Sequence, residues 1–449
     1  MDRRRFMQFA GFAGLAVVAP LAAREVRADS ARYNGPYWIM INAGGGWDPT
    51  MLCDPKGGTD PEDHAQVNHS YSPDQIGTAG AISYAPTSYE QNGVTLMSAA
   101  KFFGDHHGRL TILNGVDTST NNHDGGSRNT WSGRMQEGYP SFAALAAGLA
   151  AKDVVVPLAY LSNGGYDATE GVVSLTRVGG TSALQRLAFT NEINPDDPKT
   201  ARYHTPTTAG RIAAAQEARL KTAQQRQRLP SVNKAMNALY LARQSDDGLA
   251  ALGEQLKTLQ LVNFPEDFPE LDGIGGIGEV EGMLRQAQMA LLSFKAGVAV
   301  SANLSMGGYD SHDNSDERQA RQLMILCFTM DYIYKQMDAL GLKDQVYVVV
   351  GSDFGRTPYY NDNNWGKDHW NITSMMVSGP KIPGDRVIGG TDGAFKPHNI
   401  NPKSLAIDAN GTRLEPKHLH MALRKIAGLT GTDLDAQFGL AGDFIPLFG

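Results

Sequence analysis

Short apolar runs alternate along this chain with longer amphipathic segments. Runs rich in β-branched or other apolar residues predict strands at 37–42, 110–116, 154–161, 171–175, 298–304, 346–350 and 373–377. Apolar positions at three- and four-residue steps, or an Ala-rich composition, predict helices at 141–151, 280–295, 316–340 and 418–429. Strands that alternate with helices predict an α/β fold with three α/β/α layers around a largely parallel central sheet.

Two segments depart from this alternation. Residues 54–95 are polar and rich in turn-forming residues, which predicts a decorated loop. Residues from about 196 to 265 are rich in Ala, Gln, Lys, Arg and Leu and contain few β-branched residues. We interpret the second segment as a helical insertion within one domain that spans residues 29–449.

The first residues have the features of a targeting segment. Residues 3–7 read Arg-Arg-Arg-Phe-Met, a twin-arginine pattern, and an apolar stretch of about 15 residues follows at 9–23. That stretch is short for a membrane span, and the small residues Val26 and Ala28 favour cleavage after Ala28. The sequence therefore predicts a signal peptide at 1–28, twin-arginine export to a periplasmic or secreted location, and no membrane association afterwards. An uncleaved N-terminal anchor is the alternative.

Charge and cysteine content exclude two classes of site. The formal net charge is −7 and the pI is near 5.9, so the composition gives no basis for a nucleic-acid-binding surface. The two cysteines, Cys53 and Cys327, are too few for a thiolate metal site. Whether they form a disulfide stays open at this point.

Acidic residues and histidines lie next to the predicted strands. They are Asp48, His123 with Asp124, Asp310 with His312, Asp353, and Asp368 with His369. Because open α/β sheets bind ligands beyond the carboxyl ends of their strands, this pattern predicts a divalent metal site with oxygen and nitrogen ligands. Any one of these residues by itself is more often a turn former or a helix cap, so the prediction rests on the joint pattern.

Four short motifs carry a resemblance to a known family. They are GGWD at 45–48, GGYDSH at 307–312, SDFGRTP at 352–358 and GKDHW at 366–370. In their order they resemble the alkaline phosphatase superfamily, and more closely its exported bacterial branch called domain of unknown function 1501. The resemblance covers the chain from about Tyr37 onward. It implies an alkaline-phosphatase-like sandwich and a hydrolase of phosphate or sulfate esters that uses one or two divalent ions of Zn, Mn or Ca.

Position within these motifs also implies roles for individual residues. Phe354 stands where the superfamily often has a histidine, and His123 is the candidate to replace it and to act in catalysis. Ser127 is the candidate nucleophile, with Thr120 and Thr130 as rivals and a metal-activated water as a further alternative. The implied metal ligands are Asp48 and Asp353 for one ion, and Asp310, His312 and His369 for the other.

Three basic residues are predicted to bind the substrate, a small anionic ester or a glycan. They are Arg128, Arg356 and Lys367. Structural ion pairs with the acids of the site are the alternative for each of them. Asp368 is expected to orient His369 or to help bind the metal.

A second function class competes with the hydrolase. The missing histidine and the uncertain nucleophile fit a non-catalytic exported protein that keeps the scaffold and binds a glycan or a protein partner. The acid-rich segment at 313–317 lacks the ligand spacing of a calcium-binding loop.

Overall fold

The computed structural model describes residues 33–449 with several gaps. The gaps are 153, 155, 178–188, 195–198, 265, 276, 363 and, apart from four isolated positions, 230–261. The predicted signal peptide therefore lies outside the described residues, as does much of the predicted insertion. Within the described part of the chain, no helix is long and apolar enough to cross a membrane.

The elements alternate between strands and helices. The helices are α1 (Ala99–His106), α2 (His123–Ser132), α3 (Phe142–Ala150), α4 (Pro206–Arg226), α5 (Ile277–Lys295), α6 (Ser315–Leu340), α7 (Pro416–Ile426) and α8 (Asp433–Gln437). Short 3₁₀ helices span Pro49–Met51, Pro73–Gln75, His107–Arg109 and Pro269–Leu271. The strands are β1 (Tyr37–Ala43), β2 (Gly77–Ala79), β3 (Ile82–Tyr84), β4 (Ser88–Gln91), β5 (Val94–Ser98), β6 (Thr111–Asp117), β7 (Tyr160–Ser162), β8 (Leu175–Arg177), β9 (Ser301–Met306), β10 (Val346–Gly351), β11 (Gly355–Arg356), β12 (His369–Trp370), β13 (Ile372–Ser378), β14 (Arg386–Gly389), β15 (Asn399–Ile400) and β16 (Thr412–Arg413).

One eight-stranded sheet organises the molecule. Its order is β14-β6-β13-β10-β1-β9-β7-β8. Every neighbouring pair is parallel except the two pairs that β13 makes with β6 and β10. The other seven strands therefore present their carboxyl ends at one edge, where ligands bind in such sheets.

The core lies on both faces of this sheet. Side chains of a strand alternate between faces, and in β1 Ile39 and Ile41 join one apolar cluster while Trp38 and Met40 join another. The first cluster includes residues of α1, α5 and α6, and the second includes residues of α3 and α7. The predicted mixed α/β fold, with helices on both faces of a mostly parallel sheet, is confirmed.

Most predicted elements are confirmed, and their ends shift by at most three residues. Two strands are misplaced, because β7 and β8 begin only near the ends of the predicted runs 154–161 and 171–175. Pro157 has no N–H for a strand ladder, and Gly171 adopts a positive φ of 73°. The predicted loop at 54–95 is also wrong in part, since it contains the hairpins β2–β3 and β4–β5.

A glycine lets α2 approach the end of β10. The side chain of Asn122 caps the helix by accepting from the Gly125 N–H at 3.1 Å. At the next position, a Cβ on Gly126 would lie 2.3 Å from the backbone oxygen of Asp353. Only a residue without a side chain allows this approach, which brings the first turns of α2 beside the residue that follows β10.

Substitution of these adjacent glycines tests that approach. We expect Gly126→Ala to lower the melting temperature, because the added methyl group collides with backbone. Gly125→Ala is the matched control, since its Cβ would meet its nearest neighbours only at 3.5 Å. Alanine is favoured over glycine within a helix by roughly 0.5–1 kcal/mol, so the control should be neutral or slightly stabilising. Thermal denaturation measures both, and equal changes would contradict this account of Gly126.

Candidate functional site

Three imidazoles converge on the carboxylate of Asp310. Asp310 and His312 follow β9, His369 lies in β12, and His123 begins α2. The Nε2 atoms of His312 and His369 each lie 3.1 Å from Oδ1 of Asp310, and 3.1 Å from each other. The Nε2 atom of His123 lies 3.7 Å from the second oxygen of Asp310. Four residues that are distant in sequence thus present nitrogen and oxygen atoms to one point.

The opposite nitrogen of each ring is held by a hydrogen-bond acceptor. The Nδ1 contacts are His123 to Asp353 at 2.9 Å, His312 to Asp368 at 2.8 Å, and His369 to the carbonyl of Asn121 at 2.9 Å. Carbonyl and ionised carboxylate oxygens only accept, so each Nδ1 carries the hydrogen and donates it. When a ring is neutral, its lone pair is therefore on Nε2, the nitrogen nearest to Asp310.

Asp310 contributes a negatively charged hydrogen-bond acceptor to this cluster. Burial opposes its ionisation, but hydrogen bonds from Arg356 and His369 outweigh that effect and hold the pKa of the carboxyl at about 2. The hydrogen bond with Asp353 raises the pKa of His123, against the opposing effect of burial. A proton on the Nε2 atom of a ring could form a hydrogen bond within the cluster. However, the Nε2 atoms of His312 and His369 lie 3.1 Å apart, and they cannot both donate to each other.

The cluster fits a divalent metal ion. Zinc binds nitrogen and carboxylate ligands at about 2.0–2.2 Å, which places tetrahedral ligand atoms about 3.3–3.6 Å apart. The observed separations of 3.1 and 3.7 Å bracket that range. His123, Asp310 and His369 each offer one potential ligand atom, and these atoms all lie within 4.8 Å of one another. Imidazole nitrogens favour Zn²⁺ or Mn²⁺ over Ca²⁺, which prefers oxygen.

A hydroxyl group is joined to the cluster through Asp353. This carboxylate is buried and accepts from Ser127 Oγ at 2.8 Å, from the Gly45 N–H at 3.0 Å and from His123. Ser127 and His123 lie four residues apart on α2 and hence on one face of the helix. Asp353, predicted to bind metal, therefore links the candidate hydroxyl to one of the imidazoles.

The rival hydroxyls have other partners. Thr130 is completely buried and donates to the carbonyl of Ser352 at 3.0 Å. Thr120 accepts from the backbone N–H of Asn122 at 3.1 Å. Of the three candidates, Ser127 is the one whose hydroxyl group contacts Asp353.

Asp48 is paired elsewhere. Its carboxylate is fully buried and lies 2.7 Å from the ammonium of Lys367, and no group of three potential ligands among the described residues includes it. The structure therefore does not assemble Asp48 with Asp353 in a second cluster of potential ligands. The reason is electrostatic, because the ammonium group of Lys367 already compensates the negative charge of Asp48.

The three predicted substrate-binding cations bind protein groups. Arg356 has 0% exposure and donates to Asp310 and to backbone carbonyls of Gly46 and Lys367. Lys367 also has 0% exposure. Arg128 donates to the carbonyl of Met135 at 2.9 Å and pairs with Glu137 at 3.3 Å. The structural ion pair with an acid of the site is thus present for Arg356 and for Lys367. Arg128 pairs instead with Glu137, which lies outside the site and is 86% exposed.

A recurrent tetrapeptide explains why Asp48 resembled a metal ligand. Gly-Gly-aromatic-Asp occurs at 45–48, 164–167 and 307–310, after the adjacent parallel strands β1, β7 and β9. Each aspartate pairs with a basic side chain: Asp48 with Lys367 at 2.7 Å, Asp167 with Arg177 at 3.0 Å, and Asp310 with Arg356 at 2.8 Å. Only Asp310 also faces imidazoles. The motif therefore marks an ion pair at a strand end and does not by itself mark a metal ligand.

Some positioning groups gave no signal in the sequence. His369 is oriented by the backbone carbonyl of Asn121, for which any residue type would serve. Asp368 was expected to act on His369, but it contacts His312 and accepts from Asn361 at 3.2 Å. Asn361 follows the SDFGRTP motif in a loop, where asparagine is common for other reasons.

Comparison with known proteins identifies the family. Residues 37–435 match the family described as "Protein of unknown function (DUF1501)". The chain belongs to the DUF1501 family. No curated protein matches the sequence of this DUF1501 chain.

Several solved structures resemble this DUF1501 chain at low identity. PsFucS1 sulfatase from Pseudoalteromonas sp. is 9% identical with a TM-score of 0.40, over 92% of this chain and 72% of that one. Phosphonate monoester hydrolase of Agrobacterium radiobacter is 11% identical with a TM-score of 0.32, over 88% and 74%. A variant of TAB5 alkaline phosphatase is 9% identical with a TM-score of 0.31, over 80% and 95%. Likenesses at this level carry no argument about activity.

Removal of the Arg356 side chain tests how strongly it holds the site. We expect Arg356→Met to cost about 2–4 kcal/mol in the free energy of unfolding, because buried carbonyl acceptors lose their donor. Arg318→Met is the matched control, since Arg318 and Asp313 form a pair in which both side chains are nearly half exposed. That surface pair should contribute less than about 1 kcal/mol. Urea denaturation compares the two, and a small loss in both variants would contradict the role of Arg356.

Proposed function

We propose that this DUF1501 protein is an exported, metal-dependent hydrolase of phosphate or sulfate esters. The observation that carries the proposal is the arrangement around Asp310: three imidazoles whose Nδ1 atoms are held by acceptors and whose Nε2 atoms face one carboxylate. Hydrogen-bonded rings of this kind are typical of metal ligands. Export is proposed from the twin-arginine pattern at residues 3–7.

Asp310, His312 and His369 would hold the ion, because a catalytic ion with three protein ligands keeps a position open for the substrate. His123 lies beside them, 3.7 Å from Asp310. A bound divalent ion would act as a Lewis acid toward the ester oxygens. Arg356 keeps Asp310 ionised, and Asp368 holds the Nδ1 atom of His312, so that Nε2 is the nitrogen presented to the ion. These contacts are made by residues of the chain itself and orient the ligands before any ion is bound.

Ser127 is the proposed nucleophile. Its hydroxyl already donates to Asp353 at 2.8 Å. As Oγ forms its bond to phosphorus or sulfur, the hydroxyl proton passes to Asp353 and the ester oxygen leaves with the bonding electron pair. Hydrolysis of the resulting serine ester by water would then restore the hydroxyl group.

A small anionic ester or an anionic glycan is the proposed substrate. Arg128 adjoins Ser127 in sequence, and its partner Glu137 is 86% exposed. Exposed ion pairs are weak, at roughly 0–1 kcal/mol, so an anionic substrate can displace Glu137 from the guanidinium. Arg356 and Lys367 are buried and act on the protein rather than on the substrate.

Metal content tests the cluster directly. We expect the purified wild-type protein to retain Zn²⁺ or Mn²⁺ after dialysis, and the variant Asp310→Ala/His369→Ala to lose it. The matched control is Asp313→Ala/His107→Ala, which also removes one aspartate and one histidine but leaves the cluster intact. Inductively coupled plasma mass spectrometry gives the content. A wild-type protein that takes up neither ion would rule out the proposed hydrolase.

Ester hydrolysis tests Ser127. With 4-nitrophenyl phosphate and 4-nitrophenyl sulfate as substrates, we expect Ser127→Ala to lower kcat by roughly a thousandfold or more, as loss of a nucleophile does. Ser132→Ala is the control on the same helix, because Ser132 donates to the Arg128 carbonyl and not to Asp353. Near-normal activity of Ser127→Ala would exclude the serine and leave water as the nucleophile.

A non-catalytic binding protein on the same scaffold is the second candidate. The burial of Arg356 and Lys367 favours it, because two of the three predicted anion-binding cations face the protein interior. In that case the wild-type protein would bind metal and fail to hydrolyse either ester.

A further inference from the structure

A buried ammonium group occupies a cradle made of oxygen atoms. The Nζ atom of Lys367 lies 2.7 Å from Asp48 Oδ2, 2.6 Å from the Val67 carbonyl and 3.1 Å from Asn68 Oδ1. The side chains of Lys367 and Asp48 both have 0% exposure. All three N–H donors of an ammonium are thereby used. A fully buried lysine is rare unless it is paired, as this one is.

The cradle has the chemistry of a site for a hard cation. Carboxylate, carbonyl and amide oxygens are the ligands that Ca²⁺, Mg²⁺ and Mn²⁺ take. The loop itself holds these oxygens in place: Asp48 Oδ1 accepts from the Thr50 N–H at 3.0 Å, and the Asn68 amide donates to Thr50 Oγ1 at 2.7 Å. The oxygens are therefore oriented by neighbours other than Lys367.

We infer that the ammonium of Lys367 stands where a second metal ion would bind, so that the protein takes up one divalent ion at the imidazoles and none at Asp48. One carboxylate balances one ammonium, and a divalent ion beside Lys367 would bring two further positive charges into a buried space. This inference rests on the proposed function for the first ion only. The cradle itself is independent of that ion.

Lys367 also has a structural role, which follows from its position in the sequence. Lys367 precedes Asp368 and His369, and its carbonyl accepts from Arg356 at 3.1 Å. The ammonium thus anchors the segment that carries one ligand of the cluster and the carboxylate that orients another. Because the cation is covalently part of the chain, this anchor does not depend on metal supply.

Removal of the ammonium should expose a divalent-cation site. In the full chain, Lys367→Ala opens the cradle and should lower the melting temperature by roughly 5–10 °C, because it leaves Asp48 buried and unpaired. Millimolar Mn²⁺ or Ca²⁺ should restore at least half of that loss, beyond any shift seen in the wild type. Lys367→Met fills the space with an apolar chain, and Asp48→Asn/Lys367→Ala removes the charge. Neither control should be rescued.

Metal stoichiometry by native mass spectrometry gives the second measurement. Lys367→Ala should bind one more Mn²⁺ than the wild type does. Two ions on the wild type, with one lost in Asp48→Asn, would overturn the inference, and so would a Lys367→Ala variant that gains neither an ion nor stability. If that variant does not fold, the wild-type count alone decides. A wild type without metal beside a Lys367→Ala variant that gains one ion would sink the proposed hydrolase, and it would support the part of the inference that concerns the cradle at Asp48.

Discussion

The buried guanidinium of Arg356 is the contact on which the site depends. It donates to Asp310 after β9, to the carbonyls of Gly45 and Gly46 after β1, and to the carbonyl of Lys367 before β12. Three segments that meet at the carboxyl edge of the sheet are thus joined by one planar group with several donors in fixed directions. Because this group also keeps Asp310 ionised, it determines both the position and the charge of the carboxylate at the centre of the imidazole cluster.

Charge compensation organises the rest of that edge. Parallel strands place the residues that follow them close together, and here those residues include several carboxylates. Each buried carboxylate needs a compensating partner in a medium of low dielectric constant. Asp48 has an ammonium, and Asp353 has a hydroxyl group, a backbone N–H and an imidazole. Asp310 is nearly half exposed, and a guanidinium and imidazoles surround it, so nitrogen and oxygen atoms gather at a position suited to a cation.

Helix phase distinguishes the hydroxyl groups near this edge. Ser127 and Thr130 lie three residues apart on α2, yet one contacts Asp353 and the other contacts the carbonyl of Ser352. The sequence places both in the same glycine-containing segment. The close approach of α2 to the end of β10, permitted by Gly126, brings both side chains near this strand end, and their different directions on the helix give them different partners.

Local sequence patterns were enough to predict the layered fold and the residues at the strand ends. Apolar runs and amphipathic periodicity are local properties, so β1, β9, β10 and β13 were found from them, together with the motifs that follow β1, β9 and β10. The local pattern placed the starts of β7 and β8 too early in the chain, because a proline and a glycine with positive φ precede the strands. Which carboxylate pairs with a lysine and which one lies among imidazoles depends on the tertiary structure. Asp48 and Lys367 are 319 residues apart in the chain, and ion pairing depends on distance in space, which the order of motifs along the sequence does not encode.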